Sequence, residues 1–478
     1  MERYNVIVIG AGAAGLTVAG GCAILGARVA LLEQGRMGGE CLNTGCVPSK
    51  ALLHVARVAH TIRTASEQGI TGVGPLPRQD LKVIMQHVRA AQARIAPHDS
   101  AERFTGLGVE VRASAARLRS PHEVEVVKTG AVLWGRHLVV ATGSRPRIPR
   151  VPGLEEAGYV TNETVFELTE LPEALLVIGG GPIGCELAQG FSRLGSTVTV
   201  VNHAEHLLPR EDPDLAEVLA RQLDAEGITL LNASSVTRVE RREGRKRALV
   251  HTPDGLRPID ADEILVAAGR RPGVAGLGLE AVGVAVAEGG ITVDARGRTT
   301  VPSIWAVGDV TDSYRFTHWA GYRGRQLVRN ILFPGSSSAD PEILPWTTFT
   351  QPEVARVGYS ETEARQRGIA YDRLVVPFTE IDRAICDAET DGFVKVLTRR
   401  GTGQILGAAM VHARAGELIA EPTLARTLGI PLGKLSRAIH VYPTLSDVHG
   451  AVADEHMRKK LTPALRRLLT VIFRWLRR

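Results

Sequence analysis

Two cysteines five residues apart, Cys41 and Cys46, stand in the stretch GGECLNTGCVPSKAL (residues 38–52), with glycines before and between them and Pro-Ser-Lys after. Three chemistries use such a pair: a metal site, a structural bridge, and reversible thiol–disulfide exchange. Zinc wants two ligand pairs at short spacing, and no histidine cluster stands near this single C-x4-C to complete the set, so no metal ligands are expected. A bridge closing so short a loop at a helix start would staple little. Exchange fits best. Gly38 and Gly39 let the chain run close to a flat cofactor. The pair is expected to open a helix through KALLHVARVAHTI, and a helix N-terminus favours thiolate, the nucleophilic form.

An internal repeat supplies the elements that would hold such a pair. Residues 4–10, YNVIVIG, form an apolar run ending in Gly10, followed by Gly12 and Gly15. The segment ALLVIGGGPIGCEL carries the same pattern at Gly179, Gly181 and Gly184. The offset from Gly10 to Gly179, 169 residues, holds onward through Leu25/Leu194, Gly26/Gly195, Val29/Val198 and Leu31/Val200. A lone G-x-G-x-x-G is weak evidence, but two copies in register are strong. The first glycine permits a tight turn, the second lets the backbone approach a pyrophosphate, and the third lets helix pack on strand. The helix N-terminus then faces the phosphate charge.

The copies differ at the end of their second strand. The first has Glu33, placed to accept from a ribose 2′-OH, which suits the adenosine of FAD. The second has Asn202, followed by His203, with His206 and Arg210 nearby. Without a carboxylate there a 2′-phosphate is not repelled, so NADPH is expected over NADH. Further on, VVATGSRPR and LVAAGRRPG are apolar runs ending in a small-Gly turn, the second at Gly269, each closing one nucleotide unit. SIWAVGDV sets Asp309 after another buried-looking strand. From about Pro345 the pattern turns to mixed strands and helices, with SETEAR and DAETDG read as turns.

The length of 478 residues predicts several domains, and 44% hydrophobic with 23% charged residues is ordinary for a globular protein. Aromatics at 4% argue against a base-stacking nucleic-acid surface. The net charge of +6 is local: residues 456–478 hold eight Lys/Arg and no Asp/Glu, which leaves the remainder slightly acidic. No nucleic-acid partner is expected. Five cysteines, an odd and sparse set, point to a reducing cytoplasm, and the N-terminus shows no secretory pattern.

With GGECLNTGCVPSK, both glycine fingerprints, ATG, AAGRRP, AVGDV and HVYPTLSD, residues 4–453 resemble the pyridine nucleotide–disulfide oxidoreductases, which include dihydrolipoamide dehydrogenase, glutathione reductase and mercuric reductase. The resemblance implies an α/β fold: two Rossmann-like domains, for FAD and NAD(P), and a C-terminal α+β dimerisation domain. The expected limits are 1–150 and 275–343 for FAD, 151–274 for NAD(P), 344–453 for dimerisation, and a basic amphipathic tail over 454–478. Gly10, Gly12, Gly15, Glu33, Thr142, Gly143 and Asp309 match FAD-contacting positions. Gly179, Gly181, Gly184, Asn202, His203 and Gly269 fall to the nicotinamide nucleotide. Lys50 matches a lysine beside the flavin and Glu186 its carboxylate partner. Cys46 matches the thiol facing the flavin and Cys41 the one exchanging with substrate. A homodimer is implied, its C-terminal domain completing the partner's site, with a small-molecule or protein disulfide as acceptor.

The chain departs from the family at its far end. Where disulfide reductases carry His-Pro-x-x-x-Glu, this one reads His440-Val-Tyr442-Pro-Thr-Leu-Ser-Asp447. Either Tyr442 donates to a different leaving group or His440 reaches in from two residues away, while an ordinary interface role for His440 is the plainer expectation. Mercuric reductase also lacks that histidine, but uses a C-terminal cysteine pair, and no cysteine follows Cys386 here. A metal-ion reductase and a low-turnover flavin redox sensor are the alternatives. Cys22, Cys185 and Cys386 are expected to be inert. The tail, with apolar residues at helical spacing between arginines, fits either a helix docked on its own dimer or peripheral contact with an anionic membrane.

Overall fold

A computed structural model of the chain describes every residue except Pro75, Asp312, Ser313, Ser336, Ser337 and Arg478. It divides into two compact units, Met1–His203 with Gly227–Ala339, and Ala204–Glu226 with Asp340–Arg478.

The first unit contains the repeat as two similar sheets. In one, the strands Val109–Ala113, Val29–Glu33, Glu2–Ile9 and Ala131–Val140 lie side by side and parallel, with Val6 opposite Val29 and His137. In the other, Thr229–Leu231, Thr197–Val201, Ala174–Ile178 and Glu263–Val266 adopt the same order, with Val177 opposite Val200. The strands read as unbroken apolar runs because parallel strands are covered on both faces. Val6, Ile7 and Val8 are fully buried, as are Leu176 and Val177.

The ten-residue strand Ala131–Val140 serves two neighbours on one edge. Its first half pairs antiparallel with Glu123–Val126, and its last three residues pair parallel with Ile304–Ala306. That split brings the returning segment, and Asp309 after it, back into the first sheet. An antiparallel meander over Ser235–Arg242, Arg245–Thr252 and Gly255–Ala261 completes the second half.

The second unit is a five-stranded antiparallel sheet in the order Pro345–Thr348, Glu353–Gly358, Ile405–His412, Phe393–Arg399, Tyr371–Pro377. Its core joins Val394, Val396 and Met410 to Val448, Val452 and Ala453 of the helix Asp447–Lys460. The helix Pro213–Ala225 belongs to this unit through an ion cluster: Lys395 Nζ lies 2.8 Å from Asp212 and 2.7 Å from Asp214. SETEAR, expected as a turn, instead starts the helix Glu361–Gln366. Ser360 and Glu363 form a reciprocal capping box, which turns a polar cluster into a helix start.

Candidate active site

The glycines of the two fingerprints repeat to a tenth of an ångström. A Cβ on Gly15 would sit 1.9 Å from the Gly10 carbonyl oxygen, and one on Gly184 1.9 Å from that of Gly179. Gly10 and Gly179 adopt φ of +104° and +120°, and a Cβ on either would meet a carbonyl oxygen at 2.4 Å. Protein backbone alone therefore demands these four glycines. The middle ones differ. A Cβ on Gly181 would meet nothing within 4 Å, and one on Gly12 only the Gly39 Cα at 4.0 Å. Both precede helices, Ala13–Ile24 and Pro182–Leu194, whose first turns receive no side-chain cap. Space and unsatisfied amides at a helix start fit a pyrophosphate, so the residues present suit two dinucleotides.

The positions expected at a nucleotide gather at or after the carboxyl ends of the parallel strands, where ligands of open α/β sheets bind. Glu33 ends its strand, and its carboxylate accepts from the amides of Ala11 (2.6 Å) and Gly35 (2.7 Å). Thr142 donates to the Gly273 carbonyl at 2.7 Å, Gly143 follows, and Asp309 accepts from Ser144 Oγ at 2.7 Å. In the second sheet Asn202 is buried and donates to Asn232 Oδ1 at 2.9 Å, while His203 is exposed and Gly269 follows the last strand.

Between these frames lies the cysteine pair. Cys46 opens the helix Cys46–Thr64, but Cys41 does not share it. Cys41 sits in a separate short helix, Gly39–Asn43, because the backbone at Gly45 (φ −124°, ψ −112°) is not helical. Both carry free thiols and are hydrogen-bonded to each other. The two sulfurs are not equivalent. The hydrogen bond between them holds the Cys41 thiol up, and the same bond, Thr317 Oγ1 at 3.3 Å and the Lys50 charge bring Cys46 down to about 6. Lys50, one turn past Cys46, donates to Glu186 Oε2 at 2.7 Å, the carboxylate being buried on the second fingerprint helix.

A neighbouring network went unread in the sequence. Glu40, immediately before Cys41, pairs with Arg270 and accepts from Asn162 Nδ2 at 3.0 Å. Arg270 Nε also donates to Ser144 Oγ at 2.8 Å, and Ser144 reaches Asp309. Withdrawal from water pushes the Glu40 carboxyl up to about 7, with Arg270 pulling the other way. Glu40 and Arg270 stand inside the GGEC and AAGRRP motifs, but nothing local says that they meet.

In the second unit His440 pairs with Glu421 (3.0 Å) and lies beside His449. Tyr442 is exposed and donates to Asp382 Oδ2 at 2.9 Å, which raises its pKa. Asp447 begins its helix and accepts from the Thr444 amide at 3.5 Å. The hydroxyl of Tyr442 is thus directed at Asp382 rather than at Asp447. Cys22 and Cys185 are fully buried, which raises both thiols, Cys22 to about 12. Cys386 is exposed.

Paired dinucleotide frames around a dithiol define a two-nucleotide redox flavoenzyme. Residues 4–324 match the family model "Pyridine nucleotide-disulphide oxidoreductase" and residues 344–452 that family's dimerisation domain, so the chain belongs to this family, whose members are enzymes using FAD and NAD(P)H. It is 35% identical over 453 residues to a mercuric reductase of Streptomyces lividans, covering 93% of this chain and 94% of that protein. It is 34% identical over 456 residues to a dihydrolipoyl dehydrogenase of Chlamydia muridarum, covering 94% and 95%. In structure it resembles the HOCl-induced flavoprotein disulfide reductase RclA of Escherichia coli in its Cu(II) complex, with a TM-score of 0.84, 29% identity, and coverage of 95% of this chain and 99% of that one. No helix among the described residues is long and apolar enough to cross a membrane.

Proposed function

We propose that this oxidoreductase passes electrons from NADPH, in preference to NADH, through Cys41 and Cys46 to a disulfide acceptor. The setting of the pair carries the reading: Cys46 opens a helix with Thr317 Oγ1 at 3.3 Å, and Lys50, one turn on, is held by Glu186 at 2.7 Å. When bound, FAD supplies the two-electron relay between nicotinamide and disulfide. Reduction of the Cys41–Cys46 disulfide takes two electrons and one proton, leaving a Cys41 thiol and a Cys46 thiolate. Cys41 then attacks an acceptor disulfide, its proton passing to the departing acceptor sulfur, so that a mixed disulfide forms and one acceptor thiol leaves. The Cys46 thiolate then attacks Cys41 Sγ, which restores the bridge and expels the second acceptor sulfur as a thiolate that takes a proton from water. Thr317 and Lys50 hold the anionic sulfur, and Glu186 holds Lys50.

The working unit in this reading is a cytoplasmic homodimer with domain limits near residues 150, 274, 343 and 453. Ile439, Val441 and Tyr442 form an exposed apolar segment that suits an interface, Ile439 being 99% exposed. Tyr442, bonded to Asp382, remains protonated at neutral pH and is no substitute for an imidazole base. That favours, as a second reading, an acceptor needing no such base, such as a soft metal ion.

A panel of lipoamide, glutathione disulfide, quinones and Hg(II), run with NADPH and NADH on wild type, Cys41→Ser and Tyr442→His, tests both. Disulfide turnover lost in Cys41→Ser and raised in Tyr442→His supports the first reading. Hg(II) turnover alone moves the assignment to the second. Flavin reduction without turnover of any acceptor identifies a redox sensor.

A further inference from the structure

The helix Pro463–Leu476 lies beyond the family match, which ends at residue 452, so the family's architecture does not account for it. It is a helix in its own right: Thr462 caps it, accepting from the Leu465 amide at 3.2 Å, and Pro463 takes its first position. The helix before it, Asp447–Lys460, buries Val448, Val452 and Ala453 in the second unit's core. Pro463–Leu476 buries nothing. Trp475 is 73% exposed, Leu476 64% and Val471 63%.

Turned at about 100° per residue, the sequence separates completely. Arg466, Arg467, Arg474 and Arg477 fall with Thr470 within roughly a third of the circumference. Leucines, Val471, Ile472, Phe473 and Trp475 fill the remainder, and no acidic residue follows Glu455. At about 1.5 Å per residue this helix falls well short of a hydrocarbon core about 30 Å thick. A short helix with a wide apolar face, a polar arc whose charges are all basic and a tryptophan near its end matches one chemistry: a bilayer interface with anionic headgroups.

We propose that this helix lies in the plane of an anionic membrane surface and attaches the enzyme there, its apolar face among the acyl chains and its arginines at the headgroups. The inference rests on this helix alone and stands whichever acceptor is used. Full-length, FAD-loaded protein is sedimented with phosphatidylcholine vesicles, with or without phosphatidylglycerol. Binding is expected to the anionic vesicles only, to weaken as salt rises, and to fall about fivefold for each of Arg466→Gln and Arg474→Gln. Leu468→Glu with Ile472→Glu abolishes it with NADPH-dependent turnover unchanged. Failure to bind anionic vesicles overturns the proposal, as does binding that survives the double Glu variant. Dissociation of a dimer by that variant overturns it too, and assigns the face to contact between copies.

Discussion

Lys50 Nζ lies 2.7 Å from Glu186 Oε2, so a carboxylate on the second fingerprint helix fixes a cation one turn past Cys46. The two charges act on Cys46 with opposite sign, Lys50 lowering its pKa and Glu186 raising it. Lys50→Met therefore slows alkylation of reduced Cys46 at pH 6, by about fivefold if its pKa rises one unit, and Glu186→Gln speeds it. Mass-resolved iodoacetamide kinetics distinguish this from simple loss of structure, which would move both variants in the same direction.

Glu40 and Arg270 give a pH dependence of opposite sense to that of an ordinary surface carboxylate. A carboxyl raised to about 7 in the folded chain, from 4.5, binds more protons folded than unfolded between those values. Its contribution to stability thus declines as pH rises from about 4.5 through 7 and is level above that. Relative to wild type, Glu40→Gln gains on going from pH 5 to pH 8, by at most about 3 kcal/mol. Parallel thermal melts across that range check it, and a constant offset between the two proteins would contradict it.

The glycines separate folding from binding. Gly184→Ala puts a Cβ where the Gly179 carbonyl oxygen stands and costs about 1–3 kcal/mol as the helix shifts. Gly181→Ala meets nothing in the protein and leaves Tm unchanged. The added methyl occupies space expected for the nicotinamide nucleotide, so KM for NAD(P)H rises at least several-fold. Calorimetry and steady-state kinetics on the two variants read the two effects apart.

How much was legible follows from range. Backbone sterics at Gly10, Gly15, Gly179 and Gly184 are decided within a few residues, so the fingerprints announced both sheets and the ends of their strands. Glu33 was readable because its place follows from the same frame. Glu40 with Arg270 was not: 230 residues separate them, and nothing in residue type selects Arg270 among 57 basic residues. Thr317, beside Cys46, carried no motif at all. The expectation that both cysteines open one helix failed at Gly45, whose dihedrals a sequence does not display.

Asp212, Asp214 and Lys395 make a prediction at the acid end. Burial pushes the Asp212 carboxyl up, but the Lys395 hydrogen bond and charge and the amides of Glu361 and Thr362 bring it down to about 2. Its stabilisation is present above about pH 4 and lost as pH falls through 2. Lys395→Met leaves Asp212 buried without its cation and costs about 3–5 kcal/mol at neutral pH. Urea unfolding at pH 7 and at pH 3 should show a smaller penalty at the lower value.

The helix Pro182–Leu194 has two duties. Gly184 at its start lets the helix close on the Gly179 carbonyl. Further along, Glu186 anchors Lys50, and Gly190 admits Leu53 of the redox helix, whose Cδ2 would come within 3.2 Å of an added Cβ. The duplicated halves are for that reason not interchangeable modules. A chimera that imports the second sheet with its helix Pro182–Leu194 from a relative must import or re-fit the surface of residues 46–64 as well, and substitutions on these two helices should accumulate as matched pairs.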